Sequence, residues 1–212
     1  MEKIRIEQAE KIIKGIPILD KINVSFEQGK IYGLIGRNGS GKTMLIKSIC
    51  GLTRLSGGKI YVDGLQIGKD VDIPSSLGAI IEVPGFLPNL SGFSNLKYLA
   101  SLNKQIGDEE IRHAMEMAGL EANSRKTVGK YSLGMRQRLG IAQAIMEDPD
   151  ILLLDEPMNG LDCRGVEDVK HLLKELRNQG KTIILASHHA EDIDELCDEV
   201  YRMEAGKISK LV

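Results

Sequence analysis

Residues Gly36-Arg37-Asn38-Gly39-Ser40-Gly41-Lys42-Thr43 stand between the apolar run Ile31-Tyr32-Gly33-Leu34-Ile35 and the segment Met44-Leu45-Ile46-Lys47-Ser48-Ile49-Cys50. A glycine-rich loop that joins a predicted strand to a predicted helix is the setting in which backbone binds nucleotide phosphates. Glycine lets the chain curl until successive N–H groups point inward at phosphate oxygens, and the first helical turn adds the positive end of its dipole. In that arrangement Lys42 reaches the β- and γ-phosphates, and Thr43 presents its hydroxyl to Mg²⁺. The loop from Gly36 through Met44 is the first candidate nucleotide-binding set.

A second apolar run, Ile151-Leu152-Leu153-Leu154, ends in Asp155-Glu156-Pro157. Such a run predicts a buried parallel strand, so two carboxylates arrive together at a strand terminus. Asp155 there suits Mg²⁺ held through water, and Glu156 is placed to polarise an attacking water. Further along, Thr182-Ile183-Ile184-Leu185-Ala186 predicts another core strand. It carries Ser187-His188-His189 at its carboxyl end, where open α/β sheets place ligand chemistry. Between the two motifs, Tyr131-Ser132-Leu133-Gly134-Met135-Arg136-Gln137-Arg138 precedes an apolar-periodic helix. Ser132 suits a helix N-cap, so its hydroxyl, the Gly134 N–H and the helix dipole together can bind an anion. Taken alone, the segment reads better as an ordinary capped helix start, and Asp162 as a simple cap of the helix after it.

The elements that position these groups follow from periodicity. Strands are predicted at Ile4 to Ile6, where the amino terminus reads as an edge strand, at Ile22 to Phe26, at Lys59 to Val62 and at Leu77 to Val83. From Pro84 to about Asp148 helical periodicity takes over, at Glu109 to Ala118 and Met135 to Met146, which predicts an inserted helical subdomain over 84–148. Val166, Val169, Leu172, Leu173 and Leu176 mark an amphipathic helix that stops at Gly180. Strand, helix and strand in that order predict a parallel crossover. The expected fold class is α/β: a phosphate-loop core with a parallel sheet, an antiparallel β subdomain and the helical insertion, all in one domain over 1–212.

Composition narrows the partners. With 28 basic and 30 acidic residues the net charge is −2, which gives no long-range pull towards nucleic acid or an anionic membrane. No run of about 18 uninterrupted apolar residues occurs, and the amino terminus has no apolar core of a secretory signal. Any membrane role then needs a separate subunit. Cys50, Cys163 and Cys197 are widely spaced and show no metal-ligand pattern, so they read as small buried apolar residues in a reducing compartment.

The phosphate loop, the Ser132 segment, the Asp155-Glu156 strand, Asn159-Gly160-Leu161-Asp162 and Ser187-His188 stand in an order that resembles the ATP-binding cassette (ABC) ATPase family over almost the whole chain. The family signature loop maps onto Ser132, Leu133, Gly134 and Met135; Leu133 and Met135 depart from its usual glycine and glutamine. The resemblance implies ATP and Mg²⁺ as ligands. It also implies a homodimer or heterodimer of ATPase subunits in which Ser132 and Gly134 contact the γ-phosphate of the opposite subunit's ATP and Asp162 lines the seam. His188 takes the place of the switch histidine beside Glu156, with Lys42 completing the catalytic set. Glu82 replaces the family's glutamine at the end of the strand before the helical insertion, where it would touch Mg²⁺ and water; a plain surface glutamate is the competing reading. Near Ile12 and Ile13 the family usually has an aromatic ring for adenine, and this chain has none.

The stretch Ile80 to Gly92 resembles exporter ATPases of the bacitracin and lantibiotic self-protection group. That resemblance implies a bacterial exporter subunit at the cytoplasmic face of the membrane, driving a separate transmembrane permease, with no direct nucleic-acid contact. A DNA-repair or translation ATPase of the same family, and a catalytically weak regulatory module, are the alternatives.

Overall fold

The structure is a computed structural model that describes residues 1–82, 84–188, 193 and 195–211. β1 (Glu2–Ile13) and β2 (Ile16–Glu27) form an antiparallel pair with Ile4 opposite Phe26 and Ile6 opposite Val24. β3 (Ile31–Ile35) leads through the glycine-rich loop into α1 (Lys42–Ile49). The chain then returns as β4 (Gly57–Val62) and β5 (Leu65–Gln66), giving a sheet of order β2-β1-β4-β5. The amino-terminal segment is therefore an interior strand, not the predicted edge. Ile4, Ile6 and Ala9 are buried while Arg5 is exposed, so the alternation marks a sheet with one solvated face, which a central antiparallel strand also has.

The second sheet contains the remaining strands: β6 (Leu77–Ile80), β7 (Ile151–Asp155), β8 (Thr182–Ser187), β9 (Glu199–Glu204) and β10 (Lys207–Lys210). Its order is β10-β9-β3-β8-β7-β6, with every neighbouring pair parallel except β10 with β9. All residues of β7 and β8 are buried. Leu152 and Leu154 enter one apolar core and Ile151 and Leu153 the other, which is why the sequence here is uniformly apolar.

Three α-helices fill the predicted insertion: α2 (Gly92–Asn103), α3 (Asp108–Met117) and α4 (Leu133–Ile145). α2 escapes the periodicity reading because Tyr98 and Leu102 are exposed and a buried Asn95 shares its inner face with Leu96 and Ala100. Asn95 accepts from the Leu87 N–H at 2.7 Å and donates to the Leu87 carbonyl at 3.1 Å, anchoring the loop that enters the subdomain. α5 (Cys163–Asn178) follows β7 and precedes β8 as predicted. β6 stops at Ile80, short of the expected Val83, since Glu82 takes φ +58°; Val83 itself lies outside the described residues.

The cysteine reading holds for Cys50 alone. Burial pushes its thiol up to about 12, whereas Cys163 is exposed and Cys197 is partly buried. Cys163 opens α5, where the chain leaves the core to begin a surface helix.

The helical subdomain approaches the sheet closely at Gly78 of β6, where a Cβ would overlap the Ala144 carbonyl oxygen and crowd Pro149. Gly78→Ala is expected to cost about 1–3 kcal/mol by overpacking and to lower the melting temperature by several degrees. An unchanged thermal unfolding curve would show that this contact does not seat α4 on the sheet.

Candidate functional site

Parallel pairing sets the site's geometry before any side chain is considered. Ile35 lies opposite Ser187, and Asp155 opposite Ala186, so β3, β8 and β7 end along one edge. The glycine-rich loop, His188 and Asp155-Glu156 are the residues at those ends.

The loop is closely fitted. A Cβ on Gly36 would overlap the Met203 carbonyl oxygen, and Gly41 takes φ +109° with the Ile18 carbonyl only 2.8 Å from where a Cβ would stand. The Gly206 N–H donates to the Ser40 carbonyl at 3.1 Å, so the turn between β9 and β10 braces the loop. No side chain caps α1, which leaves its first-turn donors for an anion. Lys42 is 6% exposed, and its ammonium donates to the loop's own carbonyls, Gly36 at 2.6 Å and Arg37 at 3.4 Å. Among the described residues, the Ser40 hydroxyl is the one buried side-chain polar atom with no hydrogen-bond partner. A buried donor left in that state costs stability unless a ligand satisfies it, and phosphate oxygens fit both it and Lys42.

Across the cleft, Thr43 donates its hydroxyl hydrogen to Asp155 Oδ2 at 2.6 Å. Burial holds the Asp155 carboxyl above its ordinary range; the Thr43 hydrogen bond and Lys42 oppose that shift, while Glu156 and Glu82 add to it. A divalent cation would favour the charged form. No three His, Cys, Asp or Glu side chains converge into a metal cage among the described residues.

Glu156 adopts φ +52°, an uncommon conformation for a non-glycine residue. Its N–H donates to the Ala186 carbonyl at 2.9 Å, and its own carbonyl accepts from Gln137 Nε2 at 3.0 Å. The carboxylate then lies 2.8 Å from His188 Nδ1. Glu82 lines the same cleft, of about 550 Å³, with Thr43, Met44, Asp155, Glu156 and Asn159. Its carboxylate is seated on Lys47 Nζ at 2.6 Å and is not drawn to Thr43 or Asp155.

Gly36, Arg37 and His188 border a second groove on the far side of the loop, and Asn38, Gly39 and Ser40 face both spaces. Ser132, Gly134 and Asp162 line a third, separate groove. Ser132 accepts from the Met135 N–H at 3.1 Å and Asp162 from the Gly165 N–H at 2.8 Å, so each is a helix cap in fact. One chain thus does not bring Ser132, Gly134 and Asp162 to its own phosphate loop. Ile12 and Ile13 are exposed at the tip of the β1–β2 hairpin, and His113 and His171 are exposed on helices. His189 lies outside the described residues. The sequence reading missed Gln137 and Lys47. Each stands one helical turn beyond a residue it did single out, Gly134 and Thr43, and that spacing was the available signal.

The profile of the ABC transporter family matches residues 19–159. The chain is 46% identical over 205 residues to an uncharacterised ABC transporter ATP-binding protein, YybJ of Bacillus subtilis (strain 168), covering 97% of this chain and 94% of that one. It is 39% identical over 207 residues to the bacitracin transport ATP-binding protein BcrA of Enterococcus faecalis, covering 97% of this chain and 67% of that one. Among solved structures, a dimeric bacterial ABC transporter cassette superposes with a TM-score of 0.89 at 24% identity, over 99% of both chains, a likeness of fold.

Gln137 is expected to position Glu156 through its backbone. Gln137→Ala removes one buried hydrogen bond, worth about 1 kcal/mol, from a conformation that needs restraint. ATP turnover should fall about fivefold while ATP affinity, measured by equilibrium dialysis, stays within about twofold. Full turnover in that variant would mean the left-handed conformation of Glu156 holds without it.

Proposed function

Because the chain belongs to the ABC family of transporter ATPases, we propose that it is the ATP-hydrolysing subunit of a bacterial exporter, working as a dimer of cassettes beneath a separate membrane permease. The observation that carries this reading is the convergence of Lys42, Thr43, Asp155, Glu156 and His188 at the ends of three adjacent strands.

On ATP binding, the Lys42 ammonium exchanges the carbonyls of Gly36 and Arg37 for β- and γ-phosphate oxygens, and Ser40 gains the partner it lacks. Thr43 and Asp155, with Glu82 as a further oxygen donor, would hold Mg²⁺, whose chemistry there is to neutralise phosphate charge. Glu156 orients a water and takes its proton as the water oxygen bonds to the γ-phosphorus. The bond from that phosphorus to the bridging oxygen breaks, and ADP departs with the electron pair. His188, hydrogen-bonded to Glu156, fixes the carboxylate's direction and contacts the γ-phosphate.

The third groove completes the site in trans. The Ser132 hydroxyl and Gly134 N–H, at a helix start on a surface apart from the phosphate loop, suit the γ-phosphate bound by a second cassette. Asp162 shapes the seam loop through its cap. The bacitracin transport relative supports a peptide antibiotic or similar drug-like cargo. No helix among the described residues is long and apolar enough to cross a membrane, so in this reading the permease seats the chain at the cytoplasmic face and contacts the cargo. The near-balanced charge supports no direct role for nucleic acid.

Glu156→Gln tests the reading. Hydrolysis should fall about a hundredfold or more, roughly 3 kcal/mol in the barrier, while ATP binding persists and an ATP-bound dimer accumulates in size-exclusion chromatography. Cells that rely on this chain for export should lose resistance with the same substitution. Wild-type turnover in the purified variant would remove Glu156 from the mechanism, and unchanged resistance would remove the export assignment.

A further inference from the structure

Three carboxylates, Glu82, Asp155 and Glu156, border the cleft that would receive a polyanion. Asp155 is bonded to Thr43 and Glu156 to His188, and both therefore have defined work. Glu82 differs. Its carboxylate is 2.6 Å from Lys47 Nζ, and that ion pair bridges α1 to the segment two residues beyond the end of β6. β7 lies between β6 and the rest of the sheet, and α1 packs over β7, so the pair straps the cleft floor across an intervening strand.

Lys47 stands one helical turn beyond Thr43 and so shares its face of α1. The side chain of Lys47 is 29% exposed and that of Glu82 65% exposed. In open water such a pair contributes little to stability. Its value rises when a nucleotide fills the cleft and displaces water, because the effective dielectric falls around charges that are already fixed. A carboxylate without a countercharge at that point would repel the incoming triphosphate.

We infer that Lys47 is a positioning residue that offsets the charge of Glu82 and holds its carboxylate at the cleft wall, which lets a carboxylate stand where the site must accept a triphosphate. The inference rests on the ATP-site reading and adds to it the group that makes Glu82 compatible with that site. Lys47 acts through Glu82 and needs no contact with the nucleotide.

A double-mutant cycle on the full chain, read by equilibrium dialysis of ATP with Mg²⁺, tests it. Lys47→Met should weaken binding by about three- to tenfold, the range expected for one uncompensated charge at partly screened distance. In the Glu82→Gln background the same substitution should change affinity by less than about twofold, and Lys47→Arg should retain the wild-type value. Melting curves of the nucleotide-free variants report any general loss of structure, which the Glu82→Gln background would not repair. An equal loss in both backgrounds would show that Lys47 serves the phosphates or the fold directly and would overturn the inference, as would no loss in either. Failure of the wild-type protein to bind ATP would instead remove the underlying site reading, and this inference with it.

Discussion

Parallel pairing of β3 with β8 and of β8 with β7 is the constraint on which the site depends. The register puts Ile35 beside Ser187 and Asp155 beside Ala186, so three connections leave the sheet along one edge. A slip of one residue in either pairing would exchange the two faces of a strand and move its last residue off that edge. Such a slip is opposed by packing, because successive residues of β7 and β8 enter two different cores. The apolar runs in the sequence thus do two things at once: they fill both cores, and they hold the charged ends in line.

At that edge the protein keeps features that stability alone would not favour. Glu156 and Glu82 both occupy the left-handed region, Asp155 is buried, and the Ser40 hydroxyl lacks a partner. Each has a local restraint or an evident ligand. Glu156 is held by the Ala186 carbonyl and Gln137, Asp155 by Thr43, and Glu82 by Lys47. The pattern fits the proposed reading of a site preorganised for phosphate: cationic and N–H groups lie on the loop side, and carboxylates lie on the side where that reading needs a cation and a water.

The fold class was legible in the sequence, as was the placing of the glycine-rich loop, Asp155 and Glu156 at strand ends, because these depend on local signals. A glycine-rich loop needs its glycines where backbone approaches backbone, and the structure places the Met203 carbonyl under Gly36 and the Ile18 carbonyl beside Gly41. Uniformly apolar runs announced β7 and β8. The interior place of β1 was not legible, since one solvated face gives the same alternation in an edge strand and a central one. α2 was missed because its buried face carries Asn95 and its outer face carries Tyr98 and Leu102. The Lys47–Glu82 pair and the brace from Gly206 to Ser40 join residues far apart in sequence, and no local pattern encodes such contacts. Ser132 and Asp162 were legible as caps, but their separation from the phosphate loop required the fold.

In the proposed function the loop from Gly36 to Thr43 binds ATP phosphates and Lys42 supplies the main countercharge. Equilibrium dialysis of ATP against wild-type and Lys42→Ala protein measures this most directly. The expected result is tight binding by the wild type and a loss of about a hundredfold or more in the variant, in keeping with removal of charge-assisted contacts to phosphate. Equal affinity in the two proteins would contradict the assignment of the site.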